Sequence, residues 1–435
     1  MPSAQCPVPS EALASTQPDS GSRSTRIVIL GAGFGGIYTA LGLARGARRR
    51  IRAGGLDVVV VSRENFFFFT PFLTEVVGGV IGLRHIAAPV RRLLVGTGIR
   101  FRQGSVESVD VEARVVRLEG GAALPYDHLV VALGSTTSFF GIESVEKNAL
   151  TLKSLEDALR VRNHAIACFE RAAALPAGDP ERRRLLTFVI AGAGPTGVEL
   201  ATDLNDLVRE GLLEEYPEIR AGEVTVAIAE ARDAVLSGFD ARLVALAIRR
   251  IQQKGIQLLL NHAIESYDGR EVRFKGRAEA LEAATLVWTA GIKPSPVVEG
   301  LPLEKERGRV KVDATLRVPG RPEITVLGDA ATGVDANGVP FSPEGQVAMQ
   351  QARTAARNLV NALEGRPAEP FAFFRYGRLV ALGTRWAVTE VFGLKLYGFV
   401  AWFVWRTAYL VRLQGIGNKL RVMFDWTLDL FSHRD

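Results

Sequence analysis

The chain has 435 residues, 47% hydrophobic and 23% charged, a globular composition with room for two or three domains and too apolar for a disordered one. Its net charge of +6 suits an anionic membrane surface or phosphate-bearing ligands, yet the arginines are scattered and form no nucleic-acid-binding stripe. Two distant cysteines, Cys6 and Cys168, exclude a disulfide scaffold and a zinc ribbon, fit a reducing compartment, and join five dispersed histidines that show no metal-ligand spacing.

Residues 1–24 are rich in Ser, Pro, Ala and Gly and carry Glu11 and Asp19. They lack the apolar stretch of a signal peptide and read as a disordered tail. From Arg26 a short apolar run enters Gly31-x-Gly33-Phe34-Gly35-Gly36 and then an amphipathic helix to about Arg45. Strand, glycine loop and helix in that order form a dinucleotide cradle. Gly31 makes the turn, Gly33 lets the backbone approach a pyrophosphate, and Gly36 lets helix and strand pack closely. The next strand, residues 57–61, ends in Ser62-Arg63-Glu64, so the acid expected for ribose recognition is displaced by Ser62. Asn65 then opens NFFFFTPFL. Strand alternation predicts Phe66 and Phe68 on one side and Phe67 and Phe69 on the other, a mixture of core and cavity wall.

Further along, residues 126–134 run as a strand into Gly134. The segment Leu186 to Ala191 repeats the first element, leading into Gly192-x-Gly194-x-x-Gly197 and Glu199. Two such cradles, each in the right context, predict two facing dinucleotides, a flavin in the first and a nicotinamide in the second. Glu230 closes the following strand, where a carboxylate accepts from a ribose and repels a 2′-phosphate, favouring NADH. Residues 285–291 return the chain, through Gly291, to the first unit, where residues 324–330 supply another strand ending in Asp329, a carboxylate placed for a ribityl hydroxyl. The Asp335 and Asn337-Gly338 stretch reads as a turn rather than a calcium loop. The expected organisation is α/β: a FAD-binding Rossmann-like domain over 25–150 and 291–362, an NAD-binding one over 151–290 inserted in it, and a C-terminal helical region over 363–435.

In this order the motifs resemble the two-dinucleotide-domain flavoproteins. The absence of a cysteine pair near Cys168 argues against the branches with a redox disulfide and weakens the sulfide-oxidising branch. The chain is most similar to the type II, non-proton-pumping NADH:quinone oxidoreductases, through Asn65 to Leu73, the 150–159 segment, Trp288 to Gly291, and Gly345-Gln346-Val-Ala348-Met-Gln350. The resemblance implies FAD contacts at Phe34, Gly35, Ser62, Arg63, Thr70, Pro71, Val106, Gly134, Asp329 and Gln346. It also implies a quinone site at Gln346 and Gln350, which are four apart and so on one helix face, and a protonatable Glu199 at the flavin–nicotinamide junction. The uncharged run Leu396 to Trp405 is too short to span a bilayer. Beyond it Arg406, Arg412, Lys419 and Arg421 interleave with Trp402, Trp405, Leu410, Leu413, Val422 and Trp426, a pattern for a helical segment, 395–431, lying in the membrane interface, and the resemblance implies the cytoplasmic side of the cell membrane. A homodimer fits the family pattern, and no nucleic-acid partner is expected. Two rival readings are a FAD-dependent reductase of a soluble electron carrier and a non-turnover NADH sensor.

Overall fold

The computed structural model describes residues 24–428; the N-terminal tail and the last seven positions lie outside them. Two parallel sheets organise the molecule. The first has the order 317–318, 321–326, 128–131, 25–30, 56–62, 100–103, and only its 317–318 edge strand runs antiparallel. The second runs 150–151, 285–288, 187–191, 225–230, 257–260, all parallel. Runs such as Val58 to Val61 and Phe188 to Ala191 are buried on both faces, as strands sandwiched between helices must be.

The glycine loops show why these positions admit no side chain. Gly31 has φ +99°, and a Cβ there would lie 2.3 Å from the Ala132 carbonyl oxygen; at Gly36 it would lie 1.8 Å from the Gly31 oxygen. Gly192 and Gly197 repeat the arrangement. Helix Phe34–Gly46 packs on Gly345–Leu363, where Gly42 faces Ala356.

Between the units, Ser135–Thr137 pairs antiparallel with Ile292–Pro294, which marks where the chain leaves the first unit and returns to it. Entry into the second unit is fixed by a capping box. Ser154 Oγ accepts from the Asp157 amide at 3.0 Å, and the Asp157 carboxylate accepts from the amides of Ser154 and Lys153 at 3.1 and 2.8 Å. Helix Leu155–Ala173 follows. The helix after the second glycine loop, Pro195–Leu207, runs into a π-turn at Val208–Leu212, which lengthens the path from Gly197 to Glu230.

The C-terminal region is not purely helical. It begins with an antiparallel sheet, Gly377–Ala381, Ala387–Val391 and Leu394–Tyr397, followed by helices Gly398–Arg412 and Ile416–Leu428. The aromatic and basic residues expected at a membrane surface are largely core: Trp402, Trp405, Leu413, Val422 and Trp426 are buried. Arg406 is buried too, its guanidinium 3.7 Å from the Trp402 ring centre and 4.6 Å from that of Trp426. Cation–π stacking makes such a charge tolerable inside. The outward face consists instead of Phe399, Val400, Phe403, Val411, Ile416, Leu420, Met423, Phe424 and Leu428. Interleaving in sequence does not distinguish these two faces.

Candidate functional site

A cavity of about 1170 Å³ lies where both parallel sheets and the C-terminal sheet meet. Gly31, Gly33, Phe34, Gly35, Ser62, Arg63, Thr70, Pro71, Val106, Gly134, Asp329, Gln346, Glu199 and Gly291 all line it. Gly36 does not; it is buried in the first turn of helix Phe34–Gly46, facing the Gly31 carbonyl. The second cradle reaches the wall through Pro195 and Thr196, while Gly192, Gly194, Gly197 and Glu230 lie off it. Glu230 is buried and already engaged, accepting from the Ala193 amide at 2.9 Å and the Arg232 amide at 3.0 Å. That tie joins the strand-end acid to its own glycine loop.

The phenylalanine run alternates as the strand period requires. Phe67 and Phe69 are buried, with Phe34 edge-on to both at 5.4 and 5.7 Å. Phe66 and Phe68 are half-buried, 6.2 Å apart. All four contribute to the cavity wall.

Gln346 and Gln350 share a face of helix Gly345–Leu363 but are not brought together in the cavity. Gln346 lines it and donates to Glu344 at 2.7 Å. Gln350 is outside it, its amide donating to the Phe374 carbonyl at 2.8 Å and accepting from the Phe374 amide at 3.1 Å. It holds the 374 loop.

Glu199 is the most perturbed acid of the site. Its Oε1 accepts from the Ala381 amide at 3.0 Å and from Trp405 Nε1 at 3.2 Å. Burial pushes its pKa well above the usual carboxylate range against these two donors, and the charges of Asp203 and Glu75 push the same way. Glu75 in turn accepts from Trp426 Nε1 at 2.9 Å. Both C-terminal helices therefore deliver indole N–H groups to acids of the nucleotide units.

Sequence reasoning gave no role to several wall residues, Ser135, Lys153, Glu344, Arg375 and Tyr409, and it assigned Arg412, which also lines the cavity, to the membrane surface. Burial opposes ionisation of Glu344, but donors from Arg375, Gln346 and Ser342 hold its pKa below the usual range. Tyr409 is raised above the usual phenol range by burial. Among the residues given no role only Lys153, within the 150–159 segment, lay in a stretch that carried a signal, and that signal was the family resemblance rather than a role for the lysine.

The wall fits a large polar ligand. Thr74 Oγ1, Thr136 Oγ1, Ser295 Oγ and Gln346 Oε1 are buried without a protein hydrogen-bond partner, and all four residues line the cavity. Buried polar atoms left unpaired are costly, so a ligand that supplies partners is favoured there. At Gly33 a Cβ would meet nothing within 4 Å, which leaves bare backbone for a pyrophosphate beside the N-terminus of helix Phe34–Gly46. Three hydroxyls, one amide acceptor and the cradle suit the polar atoms and pyrophosphate of FAD. Among the described residues, no group of His, Cys, Asp and Glu could hold a metal ion.

The family model described as pyridine nucleotide-disulphide oxidoreductase matches residues 25–358. A probable NADH dehydrogenase of Dictyostelium discoideum is 34% identical over 94% of this chain and 90% of its own length. A type II NADH:quinone oxidoreductase of Mycobacterium tuberculosis is 32% identical over 95% and 89%. The structure of NDH2 from Plasmodium falciparum in complex with NADH superposes with a TM-score of 0.86 at 19% identity, covering 95% of this chain and 99% of that one, a likeness of fold. The chain belongs to the pyridine nucleotide-disulphide oxidoreductase family and, within it, to the type II NADH:quinone oxidoreductases.

Proposed function

We propose that this chain oxidises NADH and reduces a membrane quinone at the common cavity, without pumping protons: NADH, one proton and a quinone become NAD⁺ and a quinol. The observation that carries the reading is that a single cavity is walled by the first glycine loop, by the start of the helix after the second, including Glu199, and by Tyr409 from the C-terminal side. FAD, when bound, supplies the two-electron chemistry. Gly31, Gly33 and Asp329 would hold it, and Thr136, Ser295 and Gln346 would give it hydrogen-bond partners.

The protein's own residues then divide the work. Helix Gly345–Leu363 points its N-terminal amides into the cavity, where they favour negative charge. Glu230 favours NADH over NADPH. Glu199, kept protonated by burial, gives a proton toward the quinone and regains one from the protein side. Trp405 and the Ala381 amide orient it. Phe66 and Phe68 make the wall apolar enough for a lipid-soluble ring.

The outward apolar face of the two C-terminal helices, with Lys419 and Arg421 beside it, would lie in the membrane interface. No helix among the described residues is long and apolar enough to cross a membrane. We place this face on the cytoplasmic side, where NADH is available, and a homodimer is compatible with it.

The test mixes detergent-solubilised protein anaerobically with NADH while flavin absorbance is followed, then adds a short-chain quinone. Rapid bleaching, then reoxidation by quinone much faster than by oxygen, is the expected result. Bleaching with sluggish return would overturn the quinone assignment and point to a protein acceptor or a sensing role.

A further inference from the structure

We propose that Lys153 is the fixed cation that compensates the negative charge of the reduced flavin, held in place by Ser135 and Asp329. Lys153 belongs to the second unit, between strand Leu150–Thr151 and helix Leu155–Ala173, and its backbone is pinned by the Asp157 carboxylate. Its side chain crosses to the first unit. The ammonium donates to Ser135 Oγ at 3.1 Å, and Ser135 Oγ donates to Asp329 Oδ2 at 2.5 Å. All three residues line the cavity. One lysine of the inserted unit is therefore bonded to Ser135 of the other unit and, through that hydroxyl, linked to Asp329.

The surroundings distinguish this cation from the others in the wall. Arg63 lies 3.0 Å from Glu64, Arg375 2.9 Å from Glu344, and Arg378 3.7 Å from Glu390, while Arg412 sits over the Tyr376 ring. Lys153 donates instead to a neutral hydroxyl, with its nearest carboxylate one residue beyond. An ammonium carries three donors, and Ser135 is the one acceptor for it among the described residues. Burial pulls its pKa below the usual lysine value, and Asp329 acts against that pull. Such a group gains most from an anion close by.

The proposal rests on the FAD and NADH reading, and that reading places the anion. On that reading NADH would be held by the second unit and FAD by the first, and the group that accepts electrons would lie toward the seam between them. Lys153 is bonded across that seam. Two electrons and one proton leave NADH together, so the ring gains one unit of negative charge. In a cavity of low dielectric, a fixed positive charge nearby stabilises that state more than the oxidised one. The Ser135–Asp329 pair keeps the ammonium charged and fixed without placing a carboxylate directly on it.

The experiment compares the reduction potential of bound FAD in wild type, Lys153→Met, Lys153→Arg and Ser135→Ala by equilibration with a reference dye, with FAD affinity measured in parallel. Lys153→Met is expected to lower the reduced-to-oxidised ratio at a given poise about tenfold, a shift of about 30 mV to more negative potential for a two-electron couple. Ser135→Ala should shift it the same way by less, and Lys153→Arg should stay near wild type. An unchanged potential in Lys153→Met with FAD bound would overturn the proposal. So would loosened FAD with an unchanged potential, since Lys153 would then serve binding alone. Should Lys153→Met not fold, Ser135→Ala decides: no shift there, with Lys153→Arg also unshifted, counts against it. Wild-type protein that takes up no FAD would sink the underlying cofactor reading instead.

Discussion

The two nucleotide units and the C-terminal unit solve opposite problems. In the nucleotide units the chemistry rests on backbone: glycines at 31, 33, 192 and 194 clear space, and the parallel strands beneath them are buried on both faces. In the C-terminal unit it rests on side chains, with Trp405 and Trp426 turned inward onto Glu199 and Glu75 while a second set of apolar residues faces out. A cofactor used by every member of a fold can be gripped by main chain. An acceptor that arrives from outside needs side chains that shape one particular pocket.

The comparison breaks most severely at Gly36. A Cβ there would sit 1.8 Å from a carbonyl oxygen, so Gly36→Val should abolish accumulation of flavin-containing protein, read from the ratio of flavin to protein absorbance. No change in that ratio would mean the first cradle is not the FAD site.

Glu199→Gln tests the other side. It should slow reoxidation by quinone by ~10²-fold, the size of a lost general acid, and leave reduction by NADH within about threefold. It should also change stability with a definite sign. The folded pKa lies above the unfolded value of 4.5, so the contribution of Glu199 is fully present below pH 4.5 and lost as pH rises through the folded pKa. The Tm difference, Gln variant minus wild type, should therefore grow from pH 5 to pH 8. A flat difference would remove the burial argument.

Phe403→Glu alters only the outward face. Burying one large apolar side chain contributes about 1.5–3 kcal/mol, so binding to anionic vesicles in a flotation assay should fall tenfold or more, with NADH oxidation by a short-chain quinone in detergent retained. Undiminished flotation would free this face for a dimer contact. Gln350→Ala should matter least: about 1 kcal/mol of stability from two hydrogen bonds at an exposed loop, and quinone KM within about twofold. A larger rise in KM would return Gln350 to the quinone site.

The difference between the regions also explains what was legible. Gly31, Gly36, Gly192 and Gly197 stand at fixed spacings because backbone geometry is repetitive, so the cradles could be read residue by residue. Asp329 follows from a strand end that the same geometry positions, whereas Gln346 came from the family resemblance. Trp402, Trp405 and Trp426 could not be assigned to a face, since interleaved aromatic and basic residues suit a membrane surface and a packed Arg406 equally well. The C-terminal sheet was missed because its short strands abut an uncharged run that reads as helix. The partner of Gln350 was not legible because helical spacing gives the face but not the neighbour, which is Phe374. Lys153 stood in plain view beside its capping box, yet only the crossing to Ser135 and Asp329 gives it a role.

The central claim is that electrons enter through the nucleotide units and leave by way of the C-terminal unit. The most direct measurement reduces wild type and a Phe399→Glu, Phe403→Glu double variant with one equivalent of NADH under anaerobic conditions. Reoxidation is then followed with a long-chain quinone held in anionic vesicles and, separately, with a short-chain quinone in detergent. The account predicts equal reduction by NADH, equal reoxidation by the short-chain quinone, and a loss of tenfold or more with the vesicle-held quinone in the variant alone. Equal reoxidation of both proteins by vesicles, or slowed reduction by NADH in the variant, would contradict it.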